Sequence, residues 1–235
     1  MQTLLIACRT LESEIALAGR EAGIARPTRW VEPGLDARPD RLRDLLRDEL
    51  HRVSCENASR AASKGASTGR VLLAFGYCGH ALLGLHAASF ELVFPRADDC
   101  ISLLLGSAER REAVAGETPT YFLTEGWLEH ETNVWSDYQR AVATMGAERA
   151  KQVMAMLLAP YERLGVIDTG ACPLARVTER TRPIAETFGL RHEVIPGSTR
   201  YLRQLLAGPW GDEFVTIPPG GTVTLDHLLR QDRTP

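Results

Sequence analysis

Three cysteines stand out by what precedes them. Cys78 sits in Gly76-Tyr-Cys-Gly79, directly after the apolar run Val71-Leu-Leu-Ala-Phe75. Cys8 follows Leu4-Leu-Ile-Ala7, and Cys100 comes shortly after Leu92-Val-Phe94. Apolar runs of this length, closed by turn residues, read as buried parallel strands. The carboxyl ends of such strands are where open α/β sheets place their ligands. Three thiolates with a vacant position suit an iron–sulfur cluster with one open iron, or a zinc ion completed by His80, Asp99 or water. Zinc would draw the sulfurs to ~3.8 Å of one another. Thiols at the ends of neighbouring strands ~4.8 Å apart are bridged more naturally by something wider, so a [4Fe–4S] cluster is favoured over Zn²⁺. No C-x-x-C pair accompanies them, and the expectation rests on topology. Two other readings stand beside it: buried thiols that merely pack, and a catalytic or redox thiol. Cys55 and Cys172 do not share the strand-end position and read as structural.

Other groups surround this set in the sequence. Gly76-Tyr-Cys-Gly79 leads into an expected helix, where backbone N–H groups could hold an anion; Tyr77 and Gly79 are therefore candidate substrate-binding residues. Pro196-Gly-Ser-Thr199 is a second, weaker place of that kind. Arg96, Asp98 and Asp99 flank Cys100 and could bind substrate, orient the site or cap a helix. Thr124-Glu-Gly-Trp-Leu-Glu-His130 opens a helix; Glu125 is a candidate acid or base, and Trp127 a candidate wall of the site. Glu131 lies on the apolar stripe of that helix, as a buried acid or an arginine partner. His80 and His130 are candidate proton donors or ligands.

The elements that would position these residues alternate along the chain. Strands are expected at Thr3–Ala7, Arg29–Glu32, Val71–Gly76, Glu91–Phe94, Thr120–Leu123, Gly165–Asp168, His192–Ile195 and Phe214–Ile217. The longest helix runs from Pro39 to Ala62, with Leu42, Leu45, Leu46, Leu50 and Val53 at helical spacing. Further helices are expected near His80–Ala88, from Thr124 to Met145, and over Glu148–Leu164. Alternation of this kind predicts an α/β protein with mainly parallel sheets. Two Rossmann-like lobes, residues 1–117 and 118–235, would enclose a cleft. A 2-1-3-4 strand order in the first lobe would bring Cys8, Cys78 and Cys100 to one sheet edge.

The 235 residues carry a net charge of −3, 44% hydrophobic residues and 24% charged ones. That balance is ordinary for a globular protein and offers no electrostatic footprint for nucleic acid or an anionic membrane. No apolar run nears the ~20 residues of a membrane span, and the N-terminus lacks the pattern of a signal peptide. A cytoplasmic location is expected, where five cysteines point to metal, catalysis or burial rather than to a disulfide framework.

As a set, several stretches resemble an uncharacterised bacterial and archaeal family known as a domain of unknown function. They are Ala7-Cys8 with Leu11-Glu-Ser-Glu14, Gly76-Tyr-Cys-Gly79, Arg96-Ala-Asp-Asp-Cys100 with Leu105-Gly-Ser107, Tyr121-Phe-Leu-Thr-Glu-Gly-Trp127, Ile167-Asp-Thr-Gly170, Ile195-Pro-Gly197 and Gly208-Pro-Trp-Gly211. The resemblance implies a neighbourhood of corrinoid proteins and trimethylamine-methyltransferase-like enzymes, hence a part in one-carbon metabolism of methylated amines. It also implies treating the three strand-end cysteines as one set. Two functions follow as expectations. One is a metalloprotein acting on a small molecule, as a lyase or methyltransferase-type enzyme. The other is a non-catalytic partner or chaperone of a corrinoid methyltransferase system.

Overall fold

The computed structural model describes residues 2–63, 65–130 and 133–229. Glu131 lies outside the described residues. In chain order the elements are β1 (Gln2–Cys8), a 3-10 turn (Arg9–Leu11), α1 (Glu12–Ala22), β2 (Thr28–Val31), α2 (Pro39–Ala62), β3 (Thr68–Ala74), β4 (His86–Ala87), β5 (Glu91–Pro95), α3 (Cys100–Leu105) and α4 (Ala108–Glu117). They continue as β6 (Thr120–Leu123), α5 (Glu125–Glu129), α6 (Val134–Met145), α7 (Ala147–Leu158), β7 (Arg163–Asp168), α8 (Leu174–Phe188), β8 (Arg191–Pro196), α9 (Arg200–Ala207), β9 (Phe214–Ile217), β10 (Gly221–Thr222) and α10 (Leu225–Leu228).

The first sheet has the order β2-β1-β3-β5-β9. Its first four strands are parallel, and β9 runs antiparallel to β5. Because side chains alternate across a strand, each strand feeds both faces. Leu4, Ile6, Val71, Leu73, Leu92 and Phe94 pack on the face covered by α2, whose Leu42, Leu46, Leu50 and Val53 form its apolar stripe. Leu5, Ala7, Leu72, Ala74 and Val93 pack on the opposite face, under α1, α3 and α9. A strand buried on both faces is what the unbroken apolar runs of β1 and β3 demand. The second sheet, β6-β7-β8, is parallel throughout. The architecture is the expected α/β one with mainly parallel sheets.

The two sheets share a core. Ile167 of β7 and Ile195 of β8 are buried in the same cluster as Leu5, Leu72 and Leu104. Hydrogen bonds cross the junction from Ser198 N–H to the Leu104 carbonyl (2.7 Å) and from Thr199 Oγ1 to Glu21 Oε2 (2.9 Å). The chain also crosses between the sheets twice. α9 packs on α1 and β9 completes the first sheet, so residues 200–217, expected with the unit 118–235, lie with the first one.

Three local expectations give way to backbone chemistry. No helix forms over His80–Ala88: Gly79, His80 and Gly84 have φ of 62°, 71° and 80°, and left-handed residues cannot propagate a right-handed helix. The expected helix from Thr124 to Met145 is two, α5 and α6, because the Asn133 side chain accepts from the Trp135 and Ser136 N–H groups and starts a new helix. α7 ends at Leu158, before Pro160, and β7 begins earlier than expected, at Arg163.

Candidate functional site

Cys8 ends β1 and Cys100 opens α3, while Cys78 lies in the loop after β3. With β1, β3 and β5 adjacent and parallel, all three cysteines fall at the carboxyl edge of the first sheet. Two glycines tighten this edge. A Cβ on Gly76 would sit 2.4 Å from the Asp99 Cα, so only glycine lets the loop after β3 lie against the loop before α3. Two backbone hydrogen bonds then hold these loops together, Tyr77 N–H to the Ala97 carbonyl (2.7 Å) and Cys78 N–H to the Asp98 carbonyl (3.0 Å). Cys78 itself takes φ of 44°, a conformation that costs a β-carbon residue energy and is worth noting next to a thiol. On the other flank, a Cβ on Gly126 would stand 1.8 Å from the Thr10 carbonyl oxygen. That approach seats α5 on the turn after Cys8 and lays Trp127 over the site.

The result is a narrow cavity of about 30 Å³ lined by Cys8, Cys78, Cys100, Thr10, Asp36 and Trp127, among others. Thr10 Oγ1 is 3.1 Å from Cys8 Sγ. Glu32 and Asp36 also face the cavity, where none of the described lining residues is Arg, Lys or His; Glu32 is paired with Arg9 (2.8 Å). Burial and the neighbouring acid Asp36 push the thiols up: Cys8 is raised, Cys78 reaches about 12, and Cys100 lies well above its ordinary value. Each of Cys78 and Cys100 also feels the charge of a fellow thiolate. A nucleophilic or redox cysteine needs a lowered pKa beside a cationic group. This environment does the opposite and keeps the metal-free thiols protonated.

Among the described residues, no three His, Cys, Asp or Glu side chains stand ready to hold a single metal ion. The three thiols share one cavity without converging on a point in it. Part of the wall, Pro33–Asp36, has neither helix nor strand.

The remaining candidates are placed elsewhere. Asp99 caps α3, accepting from Ser102 N–H (2.9 Å), and pairs with Arg111 (2.8 Å). Arg96 donates to the His227 carbonyl (2.8 Å), tying β5 to α10. Tyr77, Gly79, His80 and Asp98 line a separate open groove on the far side of the loop that carries Cys78. Glu125 turns away from the thiols into a small cavity beside β7, with Cys172, and His130 closes α5. Cys55 is exposed on α2, with Sγ 3.5 Å from His51 Nε2.

Thr10, Glu32, Asp36 and Glu14 were not among the sequence candidates. Asp36 carried no signal, being an acid in an irregular segment. Glu14 did carry one: it lies three residues after Leu11 and four before Ala18, on the buried face of α1, and is 2% exposed.

No curated protein and no solved structure is matched significantly by the chain. A family profile described as "Protein of unknown function (DUF1638)" matches residues 30–206, a span that contains Cys78, Cys100, Glu125 and Trp127 and leaves Cys8 on β1 outside it. With three quarters of its length in that match, the chain belongs to the DUF1638 family.

Proposed function

We propose that this protein is a metalloprotein in which Cys8, Cys78 and Cys100 hold a [4Fe–4S] cluster, with Zn²⁺ the alternative, and that it acts on a small molecule. The observation that carries the reading is that three thiols, from the end of β1, the loop after β3 and the start of α3, line one cavity under Trp127. The donor set fits: thiolates are the usual ligands of such clusters, and thiols that share a cavity without meeting at a point suit a group larger than one ion. The cavity is narrower than a cluster, so a bound cluster would require its walls to part. When bound, a cluster held by three thiolates supplies one open iron as a Lewis acid. The chain's own residues set the rest. Thr10 hydrogen-bonds Cys8 and tunes its sulfur, as outer partners of metal ligands do. Trp127 excludes water from one side. Glu32 is paired with Arg9 (2.8 Å), which leaves Asp36 as the acid of the lining that favours a cationic or neutral substrate over an anionic one. The resemblance set out above directs the search for that substrate to small methylated amines, in a cytoplasmic one-carbon pathway.

Anaerobic purification followed by iron, sulfide and zinc analysis tests this. The expected result is about four irons and four sulfides per chain, lost in C8S, C78S and C100S and kept in C55S and C172S. Stoichiometric zinc with the same dependence would replace the cluster by the zinc alternative. Metal-free protein from both anaerobic and aerobic preparations would end the proposal.

One observation favours a second reading, a non-catalytic partner of a corrinoid methyl-transfer system. Val153, Met156 and Leu157 stand on one face of α7, with Met156 71% and Leu157 60% exposed, and Met145 is exposed at the end of α6. Exposed apolar groups gathered in this way mark association surfaces. Co-elution with a corrinoid protein that survives the three Cys→Ser changes but not M156E would support this reading; loss on C8S alone would argue for the first.

A further inference from the structure

A second site lies where α1, α5 and β7 meet, behind the helix that carries Trp127. Glu14 from the first unit and Glu125 from the second are 2% and 4% exposed. One oxygen of each is accounted for. Glu14 Oε1 accepts from Thr169 Oγ1 (3.2 Å), and Glu125 Oε1 pairs with Arg176 (2.8 Å) and Arg180 (2.9 Å). The other oxygen of each, Glu14 Oε2 and Glu125 Oε2, is buried with no hydrogen-bond partner among the described residues. Both carboxylates line the same cavity of about 10 Å³, closed by Asp168, Thr169 and Cys172. That is room for one water or one bare ion, since a water needs ~10–15 Å³ on this measure.

Two orphaned carboxylate oxygens in one small cavity require an explanation, because buried polar atoms are otherwise paired. The local charge supplies one. Glu14, Glu125 and Asp168 line the cavity and no arginine does so among the described residues; Arg176 and Arg180 meet Glu125 on its Oε1 side, and Arg180 is shared with Glu129. Negative charge is left in excess at the buried end, on the oxygens that lack partners. The oxygens nearest to hand are hard donors: the Glu14 and Glu125 carboxylates and the Thr169 hydroxyl. Hard divalent cations take such ligands.

We propose that Glu14 and Glu125, one from each unit, bind a single small hard cation of the Mg²⁺, Mn²⁺ or Ca²⁺ class at the junction of the two sheets. The cation joins α1 to α5 and so braces the helix that seats Trp127 over the thiols. This site is separate from the thiol cavity in both ligands and metal class, and it stands or falls without the cluster.

The test uses the full chain, stripped with chelator, and titrated separately with MgCl₂, MnCl₂ and CaCl₂ at pH 7.5. Thermal unfolding is followed for each ion, and Mn²⁺ occupancy by electron paramagnetic resonance. A saturable rise in Tm with one of these ions is expected, with one Mn²⁺ per chain, weakened at least tenfold in E14Q and in E125Q and unchanged in C8S. E14Q relieves an unpaired buried carboxylate and should unfold cooperatively in chelator. If it does not fold, E125Q carries the same comparison. No saturable effect from any of the three ions would overturn the proposal, leaving the two carboxyls to share a proton through one water. Binding that persists in both Glu→Gln variants would overturn it equally.

Discussion

The Cα of Gly126 lies so close to the carbonyl oxygen of Thr10 that a β-carbon there would stand 1.8 Å from it. This contact seats one unit on the other at the mouth of the thiol cavity, and the obstacle is backbone, which cannot swing aside. G126A is expected to destabilise the protein by about 1–3 kcal/mol, the usual cost of overpacking. It should also lift Trp127 from the cavity. Urea unfolding gives the first effect, and faster alkylation of Cys8 and Cys78 gives the second; unchanged rates would mean that Trp127 does not cover the thiols.

Gly76 plays the corresponding part within the first unit, against the backbone of Asp99. G76A should separate the loops carrying Cys78 and Cys100, again at a cost of about 1–3 kcal/mol. The two variants are distinguishable by labelling: G76A exposes Cys100 more than Cys8, and G126A the reverse.

Thr10 Oγ1 is hydrogen-bonded to a candidate ligand sulfur, at 3.1 Å from Cys8 Sγ. T10V keeps the shape and removes the hydroxyl. Loss of such outer partners costs ~10–100-fold in metal affinity, so T10V should retain its fold and lose metal to a chelator at least ~10-fold faster. Equal release rates would remove Thr10 from the site.

His80 holds φ of 71°, which strains a residue with a β-carbon by about 1–2 kcal/mol, and it lies outside the thiol cavity. H80G relieves the strain but adds freedom to the unfolded chain. A net gain of up to about 1 kcal/mol is expected, with metal content unchanged. A loss of metal on H80G would return His80 to the candidate ligands.

Arg200 and Glu213 form a two-pronged pair, with Nη1 at 2.7 Å from Oε2 and Nη2 at 2.6 Å from Oε1. The guanidinium holds the Glu213 carboxyl below its ordinary 4.5. A lowered carboxylate stabilises the fold above 4.5 and loses that contribution as pH falls through the lowered value. E213Q should therefore unfold at a lower temperature than the wild type at pH 7, with the gap closing under acid. Both side chains are about two-fifths exposed, so screening limits the effect to about 1 kcal/mol.

Much of this was legible in sequence, for identifiable reasons. Unbroken apolar runs at Val71–Phe75 and Leu4–Ala7, short and closed by turn residues, read as strands buried on both faces, and once the order of β1, β3 and β5 follows, so does the shared edge of Cys8, Cys78 and Cys100. Side-chain direction was not legible. Asp99 and Arg96 read like site residues because they flank Cys100, yet one caps α3 and the other anchors α10, partners more than a hundred residues away in the latter case. The roles of Gly76 and Gly126 were equally hidden, since a close approach of two backbones leaves no mark in composition. Glu14 was readable from its place on the apolar face of α1, but its pairing with Glu125 needs the junction of the two sheets.

The edge position of β9 bears on how this protein comes into being. Cys8, Cys78 and Cys100 all leave the ribosome well before Phe214–Ile217, the segment that covers the open side of β5, and before α9, which shields α1. Throughout that interval the nascent first sheet offers an unpaired strand edge, the kind of surface that recruits holding factors or pairs wrongly with a neighbour. The pairing of β9 with β5 is thus among the late events in the making of the first sheet.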